Sequence, residues 1–152
     1  MSSISSKRLA KELKEFHSLN LVGVTLLKAD DFKQWLVGIE VMGESLFQNE
    51  VFALRFTFDS QYPISSPEVV FIDDGVHHIP PHPHVYSNGH ICASILGQEW
   101  SPVLSVASVC ITLQSMLASC KAKERPPDND RYVRNAPLSP KNTRFHYDDD
   151  TV

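Results

Sequence analysis

The sequence predicts an α+β domain in which a four-stranded antiparallel sheet is flanked by helices, and three observations predict it. Apolar residues recur at helical spacing near the start and again after residue 105. Four short β-prone runs follow one another between residues 24 and 72 with no helix-length segment between them. A long proline-punctuated stretch then separates the strands from the second helix. Strands that follow strands directly pair antiparallel, because a parallel pair needs a crossover of a dozen residues or more. A chain of 152 residues with 42% hydrophobic and 21% charged residues is one domain able to build a core without disulfides or a structural metal.

The first helix carries Leu9, Leu13 and Phe16 on one side and Lys7, Arg8, Lys11, Glu12 and Lys14 on the other, with Ser5 or Ser6 as its expected cap. Past Gly23 the β-prone runs are 24–27, 35–41, 52–58 and 69–72, and Leu54, Phe56 and Phe58 give the cleanest period of two. From Pro80 to Pro102 regular periodicity is lost. Ordering so long a connection costs backbone entropy, so its function is expected to lie there. Ser105 then caps a helix whose stripe is Val106, Val109, Cys110, Leu113 and Leu117. Pro126 and Pro127 close it, a short helix is expected over 128–133, and a polar tail runs from 137 to 152 behind a domain of residues 1–136.

The 14 basic and 18 acidic residues leave a net charge of −4 but are segregated along the chain. Residues 1–20 carry 4 basic and 2 acidic side chains, residues 21–119 carry 3 and 10, and residues 120–147 carry 7 and 3, ahead of Asp148, Asp149 and Asp150. Steering toward protein faces of different charge and plain solvation both fit this pattern. Nucleic acid is not predicted as a partner, since no basic patch is interleaved with stacking aromatics. The first 20 residues lack a continuous apolar stretch and no run of 18 apolar residues occurs, so neither a leader nor a membrane span is predicted. Three cysteines cannot all pair with one another, which favours a reducing compartment, cytoplasm and nucleus.

The chemistry concentrates in HHIPPHPHVYSNGHICASILGQEWSP, residues 77–102. Tyr86-Ser87-Asn88-Gly89 is a strong turn signal, and Cys92 follows it closely, where a large partner can approach. Cys110 belongs to a helix stripe and Cys120 to that helix's end, both expected to be structural. His82, His84, His90 and Cys92 are zinc-type ligands, but their H-x-H-x5-H-x-C spacing matches no paired-ligand arrangement, and no metal is predicted. A cysteine hydrolase would need an imidazole within hydrogen-bond reach of the thiol and a group to orient it.

HPHVYSNGHIC followed by EWSP resembles the catalytic region of ubiquitin-conjugating enzymes, whose pattern is His-Pro-Asn, a turn, Gly-x-Ile-Cys and Trp-Ser-Pro. KRLAKELKEF, Phe56-x5-Tyr62-Pro63, Ser66-Pro67 and the helix from Ser105 fall in family order, so the likeness covers residues 4–133. It is nearest the W class, with His-Pro-His in the middle motif and KERPPDN in the late segment. The resemblance implies that Cys92 accepts ubiquitin as a thioester from an activating enzyme that uses ATP, the chain itself binding no cofactor. A polarizable thiolate suits that exchange and leaves a product reactive toward amines.

The resemblance implies that His82 organises the loop, with Asn88 supporting the turn. At position 84 the family usually places an asparagine that orders the loop and stabilises the oxyanion; His84 either donates to that oxyanion or only shapes the loop. Ser94 stands where lysine-directed members carry an acid. Both departures suit an α-amino acceptor, whose pKa of about 8 leaves more neutral amine at physiological pH than the value of about 10.4 for lysine. The W class is accordingly similar to enzymes that modify flexible substrate N-termini. Asp128 and Asn129 lie at the gate, where Asp128 either meets the acceptor or caps the next helix. Lys7, Arg8 and Lys11 are implied contacts for the activating enzyme on a surface that overlaps the one a ligase uses, and Phe71, Ser101 and Pro102 are implied contacts for ligases of the RING or U-box type. Phe71 also fits ordinary core, and Trp100 is expected to brace the fold. An inactive scaffold of the same pathway, a ubiquitin-like cargo and lysine acceptors are the competing readings.

Overall fold

The computed structural model describes residues 3–142. Helix α1 (Ile4–Leu19) begins where Ser3, in extended backbone, accepts the Ser6 N–H at 3.1 Å. The cap is therefore Ser3 rather than Ser5 or Ser6; the helix starts earlier than its apolar period suggests, and Ser5 is carried into it as a buried residue. The sheet is a meander in the order β1 (Val24–Lys28), β2 (Gln34–Glu40), β3 (Val51–Thr57) and β4 (Glu68–Ile72). Each strand lies within one residue of its expected bounds.

Register makes this sheet a wall. Trp35 pairs with Phe56, Val37 with Leu54, Leu54 with Phe71 and Phe56 with Val69, and every one of these side chains is buried. Alternate residues of a strand share a face, so the pairing aligns apolar rows across three strands. The row packs in one core with Val106, Val109, Cys110, Leu113 and Leu117 of α2 (Val106–Ala118), which Ser105 caps as expected by accepting the Ser108 N–H at 3.1 Å. Phe71 belongs to this row and is 1% exposed. It shares the parity of Val69, which turns it inward, so the ligase contact expected of it has no accessible side chain behind it.

Glu12, not Leu13, completes the buried stripe of α1. A buried carboxylate is tolerated only when its oxygens are satisfied. Here it accepts from the Arg8 Nε–H at 2.9 Å, from the Tyr62 hydroxyl and from the Val106 N–H at 2.8 Å, so it also serves the first turn of α2. Arg8 continues the tie by donating to the carbonyls of Pro102, at 2.7 Å, and Leu104. The loops on either side of the active-site region are thus bolted to one helix. Trp100 braces them further, its indole N–H donating to the Pro63 carbonyl at 2.8 Å.

After Pro126 and Pro127 comes α3 (Asn129–Asn135). The polar tail expected from 137 is tied down over its first residues: Lys141 Nζ donates to Ser65 Oγ at 2.7 Å and to the Ser66 carbonyl at 2.6 Å. Residues 143–152, on which the rest of that expectation falls, lie outside the described residues. Among the described residues no helix is long and apolar enough to cross a membrane.

Candidate active site

The loop carrying the cysteine is pinned at both ends. On one side the Phe71 N–H of β4 donates to the Gly89 carbonyl at 3.0 Å, and Val70 bridges His90. The turn itself closes with Gly89 N–H to the Tyr86 carbonyl at 2.9 Å, while Asn88 Oδ1 accepts the His90 N–H at 3.1 Å. Gly89 has φ 92° and a Cβ there would overlap the Phe71 carbonyl oxygen, so the turn requires glycine on two counts.

On the other side His82 fastens the loop to α2. It is buried; Nε2 lies 3.2 Å from the Met116 carbonyl and Nδ1 accepts the His84 N–H at 2.9 Å. A carbonyl accepts and an N–H donates, which fixes the neutral tautomer with its proton on Nε2. Burial first, and the neighbouring His84 as well, push its pKa down to about 4. His82 therefore holds the loop and is no proton shuttle near neutrality.

This has a measurable consequence. At pH 7.5 the imidazole is neutral in both the folded and the unfolded chain. As pH falls through about 6.5 the unfolded chain binds a proton that the folded chain refuses until about 4. Stability should therefore fall across that window, by up to about 3 kcal/mol from this residue. His90, shifted in the same direction by burial, adds to the loss. Urea titrations of wild type and His82→Gln between pH 7.5 and 5 should give the shallower pH dependence to the variant; equal slopes would contradict the buried neutral tautomer.

Cys92 sits 8% exposed at the end of this loop. Its N–H donates to the His84 carbonyl at 2.8 Å, and its carbonyl lies 3.1 Å from His84 Nδ1. His84 is thus paired twice with the backbone of Cys92. Because Nδ1 must carry the proton to serve that carbonyl, Nε2 of the neutral ring has none to give; donation to an oxyanion from Nε2 requires the imidazolium. This geometry favours loop shaping over direct stabilisation.

Tyr86 lies close enough to Cys92 to interact with it. Its ring stacks on Tyr132 of α3 with centroids 3.8 Å apart, and its hydroxyl donates to the Asp128 carboxylate at 3.1 and 3.3 Å. Burial and that carboxylate hold the phenol well above its ordinary pKa. Asp128 stands in the cap position of α3 but makes no capping bond with its side chain, so helix capping does not explain it. Asn129 reaches the turn instead: Oδ1 accepts the Ser87 N–H at 2.9 Å and Nδ2 donates to Ser87 Oγ at 3.1 Å. Ser94, buried, opens a short 3-10 turn (Ser94–Leu96) and donates to Glu99 Oε2 at 2.7 Å.

Two groups here escaped the sequence reading. Arg125 donates to the carbonyls of Pro80 at 2.7 Å, Val85 at 3.1 Å and Ile79 at 3.2 Å, which stitches the gate to the loop. Its only signal is an arginine set immediately before two prolines. Ile64, 72% exposed, and Val103, 87% exposed, are apolar side chains in the two loops tied to α1, next to exposed Pro102 and half-buried Ser101. A large apolar residue inside a polar turn was the signal for Ile64. Of the basic trio, Lys7 and Lys11 are exposed, but Arg8 is not offered to a partner: Glu12, Pro102 and Leu104 occupy its guanidinium.

A thiol held at the end of a pinned loop and retaining slight exposure suits an enzyme that takes up an acyl group on sulfur and hands it on: a cysteine-dependent transferase with a thioester intermediate. Comparison with known proteins says which. The family described as ubiquitin-conjugating enzyme matches residues 8–144. The ubiquitin-conjugating enzyme E2 W of Caenorhabditis elegans is 45% identical over 155 residues, spanning 100% of both chains. A probable ubiquitin-conjugating enzyme E2 W-A of Danio rerio is 47% identical over 148 residues, covering 95% of this chain and 96% of its own. The crystal structure of the ubiquitin conjugating enzyme E2 UbcA1 from Agrocybe aegerita superimposes with a TM-score of 0.89 at 65% identity, covering 92% of this chain and all 100% of that one. The chain belongs to the ubiquitin-conjugating enzyme family, and its close relatives include W-class members.

Proposed function

We propose that Cys92 hands its ubiquitin by preference to the α-amino group of a substrate N-terminus, together with ligases of the RING or U-box type, in the cytoplasm and nucleus. The observation that carries the acceptor assignment is the pair of departures at the thiol: His84 spends its Nδ1 on the Cys92 carbonyl, and position 94 presents a serine hydroxyl. A serine at position 94 is no base for a lysine, whereas an α-amine loses its proton more readily. The amine attacks as the free base, its extra proton having gone to solvent. A C–N bond forms to the thioester carbonyl, the C–S bond breaks with Cys92 leaving as thiolate, and the nitrogen gives up a second proton, to solvent or to that thiolate, as it becomes the amide.

Asp128, held by the Tyr86 hydroxyl and free of a capping role, takes the part of an acceptor-side carboxylate, and His82, Asn88 and Asn129 act by keeping the loop in place. Ile64, Val103 and Pro102, with Ser101, Lys7 and Lys11 at the rim, supply the ligase face: an apolar patch bordered by polar groups. The test is a discharge assay on the ubiquitin-loaded enzyme, with peptides that differ only in a free or acetylated N-terminus and carry an internal lysine. Transfer should go to the free N-terminus and drop at least about tenfold on acetylation, the ratio that the pKa difference comfortably allows. Equal rates on both peptides would assign the lysine as acceptor.

A further inference from the structure

Position 94 lacks an acid in the sequence, but folding places one against it. Ala93 is extended, with φ −140° and ψ 127°, so the side chains of Cys92 and Ser94 leave the chain on the same side, about 7 Å apart along the backbone. The 3-10 turn then doubles back: the N–H groups of Gly97 and Glu99 both donate to the Ser94 carbonyl, at 3.0 and 2.9 Å. That reversal lays Glu99 Oε2 on the Ser94 hydroxyl at 2.7 Å. The serine is buried and the glutamate exposed, so the carboxylate faces water beyond the Ser94 hydroxyl. Elsewhere on the loop, Asp128 is held in a parallel manner by the Tyr86 hydroxyl. Two carboxylates are therefore each held by a hydroxyl donor from the cysteine loop.

We infer that Glu99, positioned by Ser94, is an acceptor-recruiting residue, which draws the α-ammonium form of a substrate N-terminus to the thioester before that group loses its proton. The inference rests on the α-amino reading above. Near neutral pH most N-terminal amines are still protonated, and a carboxylate at the mouth of the site raises their local concentration. Set one hydrogen bond away from Ser94, Glu99 concentrates the acceptor and takes no part in bond making. It is a positioning residue.

The experiment compares wild type, Glu99→Gln, Glu99→Asp and Ser94→Ala, each loaded with ubiquitin on Cys92 and then chased with a free N-terminal peptide or with methoxyamine, a small amine that is uncharged at neutral pH. Glutamine still accepts from Ser94 but carries no charge. Glu99→Gln should discharge to the peptide about fivefold more slowly at low ionic strength, with the deficit closing as salt is raised toward about 1 M, where screening removes it. Discharge to methoxyamine and the rate of loading should be unchanged. Glu99→Asp should recover part of the peptide rate, and Ser94→Ala should lose it as Glu99→Gln does. Wild-type rates for Glu99→Gln on the peptide, or an equal loss on methoxyamine, would overturn the inference while leaving the acceptor reading intact. Wild type that discharges to methoxyamine and not to the free peptide would instead overturn the acceptor reading and this inference with it.

Discussion

Cys92→Ala is expected to abolish the ubiquitin adduct outright, although two other thiols remain. The reason is geometric. Cys110 is fully covered by the core, and burial holds its thiol far above the ordinary range, so almost none is thiolate at neutral pH. Cys120, half-buried after the end of α2, donates its S–H to the Ala122 carbonyl and has no pinned loop around it. Neither can stand in for a thiol on the active-site loop. Intact mass after incubation with activating enzyme, ubiquitin and ATP should show one reducible adduct on wild type and on a Cys110→Ala, Cys120→Ser double variant. It should show none on Cys92→Ala. An adduct on Cys92→Ala, or its loss from the double variant, would place the acceptor thiol elsewhere.

The second large effect is expected at Gly89. Gly89→Ala must place a Cβ on the Phe71 carbonyl oxygen at a φ of 92°, which side chains avoid. The backbone of β4 cannot yield without breaking its pairing with β3, so the turn has to move and the Phe71 N–H to Gly89 bond goes with it. Left-handed strain alone costs about 1–2 kcal/mol, and the displaced turn brings the total to about 3 kcal/mol or more. Because the same turn carries His90 and leads into Cys92, loading and discharge should both slow. Urea unfolding of Gly89→Ala gives the stability, and the rate of adduct formation gives the second effect. A wild-type midpoint with wild-type loading would show that the turn tolerates a side chain.

Much of the fold was legible because it is encoded by local period. Alternating apolar residues gave four strands to within a residue, and Ser105 announced α2. The nucleophile was legible for another reason: HPHVYSNGHIC followed by EWSP carries the family likeness that assigns Cys92, and the Asn-Gly turn ahead of it adds only that the thiol can be approached. Local period fails for groups whose partners lie far along the chain. Glu12 looked like a surface residue because its reason for burial is Val106, 94 positions away. Arg8 looked like a contact for a partner because the carbonyls that occupy it belong to a loop equally remote. Asp128 resembled a cap until Tyr86, 42 residues earlier, claimed its carboxylate. Phe71 differs, since its parity with Val69 was readable and the family likeness outweighed it.

The strut from Lys141 to Ser65 and Ser66 bears on where this protein can be cut. A fragment ending at residue 136, where the apolar pattern stops, would keep every strand and all of α3 yet lose the amine that holds the segment beside Pro67 and β4. That segment begins next to exposed Ile64, in the face proposed above for a ligase. Such a fragment should load ubiquitin on Cys92 more slowly as well as lose its response to a ligase, because trimming frees one edge of the docking platform and also removes Leu138, whose backbone bonds His90 on the thiol's own loop. A recombinant catalytic unit should accordingly run through Lys141 at least.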